Sequence, residues 1–189
     1  MVRWRPGARE RLQAAALERF AEHGFDGTTV AEIAEAAGLT ERTFFRYFAD
    51  KREVIFAGQE QFEQVFLSGL EGAGDDHPMQ AVAAALDAAA TNFFPDRGWS
   101  RTRQAVIDKD PGLQERELLK LASLATAMTE ALRRRGVEET AASLTAQSGV
   151  AVFRVAFGAW IADGETRSLA DIQRAVLAEL RGLVGDTGE

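Results

Sequence analysis

The chain has 189 residues, 46% of them hydrophobic, no cysteine, and 22 Lys and Arg against 29 Asp and Glu, giving a formal net charge of −7. That acidic balance excludes a protein that coats nucleic acid by charge alone, which needs a cationic surplus to displace counterions, but it leaves a local DNA-binding face open. The lack of cysteine removes disulfides, thiol nucleophiles, iron–sulfur clusters and Cys-rich zinc sites, and His23 and His77 are too far apart for a helical pair, so neither a metal nor a cofactor is expected.

The opening Met1-Val-Arg-Trp-Arg-Pro-Gly7 has charges but no apolar core of a secretory leader, and a cytoplasmic protein without a membrane span is expected. Apolar residues recur at three- and four-residue spacing almost throughout, β-branched residues are scattered, and Ala and Leu dominate, which predicts an all-α chain of about nine helices. Gly24 to Gly27 should end the first helix, Gly38 the second, Ala49-Asp50 the third, and the run from Gly72 to Pro78 the fourth. A fifth is expected from about Pro78 to Phe94, before Pro95, and a short sixth between Asp96 and Asp108. The seventh should begin at Pro111 and reach Arg135-Gly136. The last two are expected over Glu138 to Ala162 and Ser168 to Val184. The stretch from Ala141 to Ala162 is the most apolar, yet it contains Gln147 and Arg154 and reads as a buried helix.

Short helices with tight turns fill the first 50 residues, and longer Ala-rich ones follow, so the expected division is a domain over 1–50 and another over 51–189. Charge divides similarly. The first 55 residues carry nine basic and nine acidic groups, so the net negative charge belongs to the remainder.

Residues Thr28 to Phe48 read as two short helices around one glycine. Thr28 can cap the first with Glu32 nearby, and Thr40 can cap the second with Thr43 one turn on. Val30, Ile33, Ala34 and Ala37 form one apolar stripe, and Leu39, Phe44 and Phe48 continue it past the turn at Gly38. This is the pattern of a helix-turn-helix, whose second helix enters the DNA major groove. Turning Leu39, Phe44 and Phe48 inward leaves Glu41, Arg42, Phe45 and Arg46 outward, with Tyr47 and Lys51 beside them, a combination suited to base edges, thymine methyls and phosphates.

The segment Gly38-Leu-Thr-Glu-Arg-Thr-Phe-Phe-Arg-Tyr-Phe-Ala-Asp-Lys51-Arg-Glu-Val closely resembles the recognition-helix signature of TetR-type transcriptional regulators, roughly Gly-Val-Ser-x-x-Thr-x-Tyr-x-Tyr-Phe-x-x-Lys-x-x-Leu. Phe20, Gly24-Phe25, Thr28-Thr29-Val30 and Ile33-Ala34 are similar to the same family's first two helices. The resemblance is specific over residues 9 to 55 and architectural beyond them. It implies a dimeric regulator that binds a palindromic double-stranded operator and releases it on binding a small molecule. It implies that Thr28, Thr40, Tyr47 and Lys51 contact phosphates, Lys51 from the start of the fourth helix, and that Glu41, Arg42, Phe45 and Arg46 approach base edges, with Thr43 in the same helix. Phe45 stands where the family usually has tyrosine, which leaves apolar or stacking contact, most naturally with a thymine methyl. Arg42 can read guanine, while Glu41 either reads a base or steadies Arg42 or Arg46. Arg3 and Arg5 resemble a minor-groove arm, or form a free basic tail.

In the later helices, runs of alanine allow close helix approach and interspersed aromatics leave irregular gaps. The resemblance turns these into an effector pocket among the fourth to eighth helices, with Phe62, Phe66, Phe93, Trp99, Met128, Phe153 and Phe157 as candidates; ordinary core is the alternative for each. Polar residues on these helices, Asn92, Gln147, Ser148 and Arg154, are informative because unpaired burial is costly. Arg154 would meet a ligand anion or an acidic residue across a dimer. Arg101 and Arg103 read as solvated. The eighth helix is apolar around most of its circumference and the ninth carries a stripe of Leu169, Ile172, Val176, Leu180 and Leu183, which permits the homodimer that the resemblance assigns to these two helices. An enzyme is not expected, because the carboxylates have no histidine partner and no phosphate loop or nucleophile elbow appears. A helical interaction module without DNA binding stays open as a rival.

Overall fold

Nine helices and no strand occupy the residues described by the computed structural model, 7–74, 77–94 and 96–185. They are α1 (Ala8–His23), α2 (Val30–Ala36), α3 (Glu41–Tyr47), α4 (Gln59–Gly72), α5 (Pro78–Asn92), α6 (Arg97–Ile107), α7 (Pro111–Arg134), α8 (Glu139–Ile161) and α9 (Leu169–Gly185). The ends fall where the punctuation residues predict, with one exception. The fourth helix does not follow Asp50 directly. Residues 51–58 form turns in which Asp50 Oδ1 accepts the N–H groups of Arg52 (2.8 Å) and Glu53 (3.0 Å), and α4 starts only at Gln59.

The chain divides into two compact units. One takes the chain to Gly58 together with Arg101–Glu117, and the other takes Gln59–Ser100 and the chain from Leu118 onward. This first unit reaches past residue 50 to Gly58 and is not one continuous stretch. Its core joins Leu12, Ala16 and Phe20 of α1, Ile33 of α2 and Phe44 of α3 to Phe48, Val54, Ile55 and Phe56, and to Val106, Ile107 and Leu113 from the later segment. Sequence periodicity finds α6 and α7 as helices but is blind to this sharing, since each helix changes unit along its length.

Within the second unit, α4 packs on α5, α5 on α8, and α9 on both α5 and α8. Small residues set these approaches. A Cβ built on Gly69 of α4 would lie 2.6 Å from the Cα of Ala85 in α5, and one on Gly149 of α8 would lie 2.6 Å from a methyl of Val82. Ala85 of α5 thus permits the close crossing of α4, while the approach of α8 rests on Gly149 itself. Helix α8 is long and apolar enough, by length and composition, to cross a membrane. Ala142, Ala146, Val150, Val152, Phe153, Ala156 and Trp160 are nevertheless buried in the unit, so α8 is its central core helix.

Candidate functional site

Helix α2 begins at a reciprocal cap. The Glu32 N–H donates to Thr29 Oγ1 (3.2 Å) while the Thr29 N–H donates to Glu32 Oε2 (2.7 Å). These backbone and hydroxyl bonds from Thr29 hold the Glu32 carboxyl below its usual range. The expected cap, Thr28, lies one residue too early. Its side chain is buried and its hydroxyl donates to the carbonyl of Gly24 (2.8 Å), so in this conformation it presents no group to a phosphate. The signal for Thr29 was present in the three-residue spacing to Glu32, which a capping box requires.

Gly38 closes α2 with φ 65°, a left-handed conformation that favours glycine, and the Leu39 N–H reaches back to Ala34 O at 2.8 Å. Thr40 then caps α3 by accepting the Thr43 N–H (3.2 Å), and the two threonine hydroxyls lie 3.0 Å apart. Phe44 is fully buried and Phe48 nearly so, and that anchoring turns Glu41, Arg42, Phe45, Arg46 and Tyr47 to the surface. Phe45 is 55% exposed and Tyr47 40%. Arg46 takes Tyr47 rather than Glu41 as its neighbour, donating to the phenol oxygen at 3.2 Å with its guanidinium carbon 4.9 Å from the ring centre. Arg42 and Phe45 are thereby left as the outward groups at the middle of the helix.

Lys51 departs from expectation. It sits in the turn after α3 rather than at a helix start, and its ammonium donates to the carbonyls of Phe25 (2.7 Å) and Thr28 (2.9 Å) while lying 4.1 Å from the centre of the Phe25 ring. It works as an internal strut that fixes the turn before α2. Arg103, read from the sequence as solvated, also turns inward: Nε donates to Ile55 O (3.0 Å), Nη1 donates to Glu117 (3.2 Å), and the group lies over Phe56. Burial lowers its pKa, against the opposing pull of Glu117. Arg3 and Arg5 lie outside the described residues.

In the second unit the candidate aromatics do converge. Phe62 meets Phe66 (4.9 Å between centroids), Phe93 (5.0 Å) and Phe153 (5.3 Å), and Phe153 meets Phe157 (5.6 Å). Phe94 and Trp160, which sequence reasoning did not single out as pocket candidates, complete the network through Phe157. Met128 is fully buried in the same core as Phe62 and Phe153. Two candidates fall elsewhere. Trp99 is 38% exposed at the start of α6, and Arg154 is exposed on the outward side of α8, because its helical phase matches Ala151, Val155 and Gly158 rather than Phe153 and Phe157. Asn92 is exposed and donates to Ala88 O, and Gln147 is exposed as well.

One polar residue inside this unit was overlooked. Gln173 of α9 is 1% exposed, and neither its amide nitrogen nor its oxygen finds a hydrogen-bond partner among the described residues. A signal existed, for Gln173 stands four residues after Leu169 and four before Leu177 on the apolar stripe.

Residues 12–57 match the family described as bacterial regulatory proteins, tetR family, and residues 76–184 match the MftR C-terminal domain. The chain belongs to the TetR family of bacterial regulatory proteins. Among its relatives, the helix-turn-helix transcriptional regulator TcmR of Streptomyces glaucescens is 41% identical over 81 residues, 42% of this chain and 36% of that protein. MftR of Mycobacterium tuberculosis, a regulator named for mycofactocin biosynthesis, is 32% identical over 134 residues, 68% of this chain and 66% of that protein. The matched stretches thus span less than two thirds of these relatives' own length. The TetR-type fold is seen directly in the fatty acid degradation regulator FadR of Bacillus halodurans, which covers 99% of this chain and 100% of its own at 18% identity with a TM-score of 0.65. The FadR of Bacillus subtilis, solved with stearoyl-CoA, covers 90% and 96% at 17% identity with a TM-score of 0.64. The family is described as bacterial regulatory proteins, and TcmR and MftR are both named as transcriptional regulators.

Proposed function

We propose that this TetR-family chain is a cytoplasmic, homodimeric repressor that binds a palindromic operator and leaves it when a small molecule enters the second unit. The observation that carries this reading is the outward face of α3, where Arg42, Phe45, Arg46 and Tyr47 are presented together by a helix capped at Thr40 and anchored through Phe44. Arg42 suits the guanine O6/N7 edge, Phe45 a thymine methyl, and the stacked Arg46–Tyr47 pair a backbone phosphate. Glu41, Thr40 and Thr43 border this face. Lys51 and Thr28 serve it from inside by holding the turn before α2.

A second copy of the chain is the partner proposed for the outward side of α8. Leu144 (64% exposed) and Val155 (60% exposed) share that side with Ala151 and Gly158, and Ala175, Ala178 and Leu183 are exposed on α9. Pairing α8 and α9 with their mates would cover these apolar groups and set two recognition helices on successive turns of DNA. Arg154 lies on the same side of α8, where an acidic residue of the mate would suit it better than an effector. The effector itself is assigned to the aromatic core around Phe62, Phe66, Phe93, Met128, Phe153 and Phe157. Binding would shift population toward a dimer whose recognition helices no longer match the operator, and operator and effector would oppose each other by the same factor.

Selection of genomic fragments by the purified full chain tests the reading. Recovery of a palindromic site, with base preference relaxed by Arg42→Ala and Phe45→Ala and affinity falling steeply with salt, supports it. Enrichment of no sequence, or full specificity retained by both variants, overturns the assigned face.

A further inference from the structure

We propose that Gln173 is the polar anchor of the effector site, and that the buried part of the effector is a neutral, mainly aromatic group bearing a carboxamide-like donor and acceptor pair. The proposal rests on the regulator reading and names the ligand class of its second unit.

Buried side-chain amides are almost always satisfied, because an unpaired donor or acceptor in a low-dielectric interior loses its hydration without compensation. Gln173 leaves both its donor and its acceptor in that condition. Its position shows what surrounds it. Leu169, Ile172 and Val176, its neighbours along α9, belong to one cluster with Phe94, Phe157 and Trp160, while Leu177 belongs to the larger core that also holds Phe62, Phe66 and Phe153. Gln173 thus stands on α9 between residues of two apolar clusters whose rings are joined to each other through Phe94. Those rings touch through edge and tilted contacts and, between Phe94 and Phe153, a stacked one, so rotating them aside to admit a flat molecule breaks no backbone hydrogen bond.

Charge narrows the class further. The buried polar side chains of the second unit are Ser100, Thr145 and Gln173, and no charged side chain is buried there among the described residues. Arg154, the one cation that sequence reasoning offered to an anionic ligand, is on the outside. Arg97, the cation over the Trp160 ring, already donates to the main-chain carbonyls of Glu165 and Arg167, so a carboxylate or phosphate beside Gln173 would have to draw it from them, whereas a carboxamide, lactam or imide returns one bond to each atom of the glutamine amide.

Three probes of one shape test this with the full chain by equilibrium dialysis: biphenyl-4-carboxamide, biphenyl-4-carboxylate and 4-isopropylbiphenyl. The wild type should hold the carboxamide about tenfold or more tighter than either of the others. Gln173→Leu and the more shape-conserving Gln173→Met should invert the preference between carboxamide and hydrocarbon. Both should also raise the Tm of the ligand-free protein by about 2–4 °C, since an unpaired amide is removed. The anchor is overturned if the carboxylate binds best, if the variants leave the preference unchanged, if no probe binds, or if both variants lower Tm. Binding of the selected genomic fragment by the same preparations is measured in parallel. Intact operator binding with failed probe discrimination removes the anchor alone, whereas no operator binding by the wild type removes the regulator reading beneath it.

Discussion

An ammonium that makes two short bonds to main-chain carbonyls and lies over an aromatic face is hard to replace, because each substitute leaves at least one acceptor facing a less polar neighbour. Lys51 is in that situation with Phe25 and Thr28, and Lys51→Met should cost roughly 1.5–3 kcal/mol in urea unfolding, by the usual worth of hydrogen bonds from a charged donor. A mere phosphate contact would leave stability unchanged and show only in DNA affinity, so the two measurements separate the roles. At the neighbouring cap, Thr29→Ala should cost about 1 kcal/mol through loss of the reciprocal bonds with Glu32. These residues show where a sequence can be read and where it cannot. The outward set Glu41, Arg42, Phe45, Arg46 and Tyr47 follows from phase once Phe44 and Phe48 are taken as inward. The inward turn of Lys51 does not, because a long flexible side chain chooses among acceptors that only the folded turn brings within reach.

Among the helices, closeness of approach is decided by what is absent from a side chain. Gly69 faces the backbone of Ala85, and Gly69→Ala would gain about 1 kcal/mol of helix propensity while forcing a methyl against main-chain atoms that cannot swing aside. The net expectation is destabilisation by about 1–3 kcal/mol, read as a lower urea midpoint; a higher midpoint would mean that α4 and α5 slide apart freely. The connection between α8 and α9 has a pH dependence of its own. Bonds from the Arg167 guanidinium and N–H lower the Glu165 pKa to about 2, against an ordinary 4.5. A depressed carboxyl contributes stability that is present above its unfolded value and lost as pH falls toward the folded one. The protection of the amides in residues 162–168, measured as exchange relative to the intrinsic rate at each pH, should therefore fall between about pH 4.5 and 2, with a smaller change in Glu165→Gln. Helix ends were legible because capping and breaking residues act locally. The missed start of α4 reflects a segment whose apolar Val54, Ile55 and Phe56 satisfy helix periodicity while packing as turns.

For the molecule as a whole, the proposed dimer has the largest predicted effect. Val155→Glu puts a carboxylate among Leu144, Ala151 and Gly158, and should convert a sedimenting dimer into monomer. Operator affinity should then fall by at least a hundredfold, since linked reading heads gain that much or more from effective concentration. A variant that stays dimeric would move the interface away from α8. Family and helix content were open to sequence reasoning because the α3 signature is local and the periodicity is strong. The proposed effector site was only half visible, since the phenylalanines that converge are spread over α4, the residues just after α5, and α8, and Gln173 interrupts the apolar stripe of α9 at a single position.

The first unit's core has a consequence for how this protein can be cut and recombined. Val54, Ile55 and Phe56 share one core with Val106, Ile107 and Leu113, which arrive some fifty residues later in the chain. A fragment ending at Gly58 would carry every residue of the recognition face and still expose the side of its core that those three residues close. The proposed reading head is therefore not a cassette. A hybrid regulator that joins this helix-turn-helix to a foreign body must bring a compatible equivalent of residues 101–117 with it, and recombination that severs the two segments should yield chains that aggregate rather than regulators with exchanged ligands.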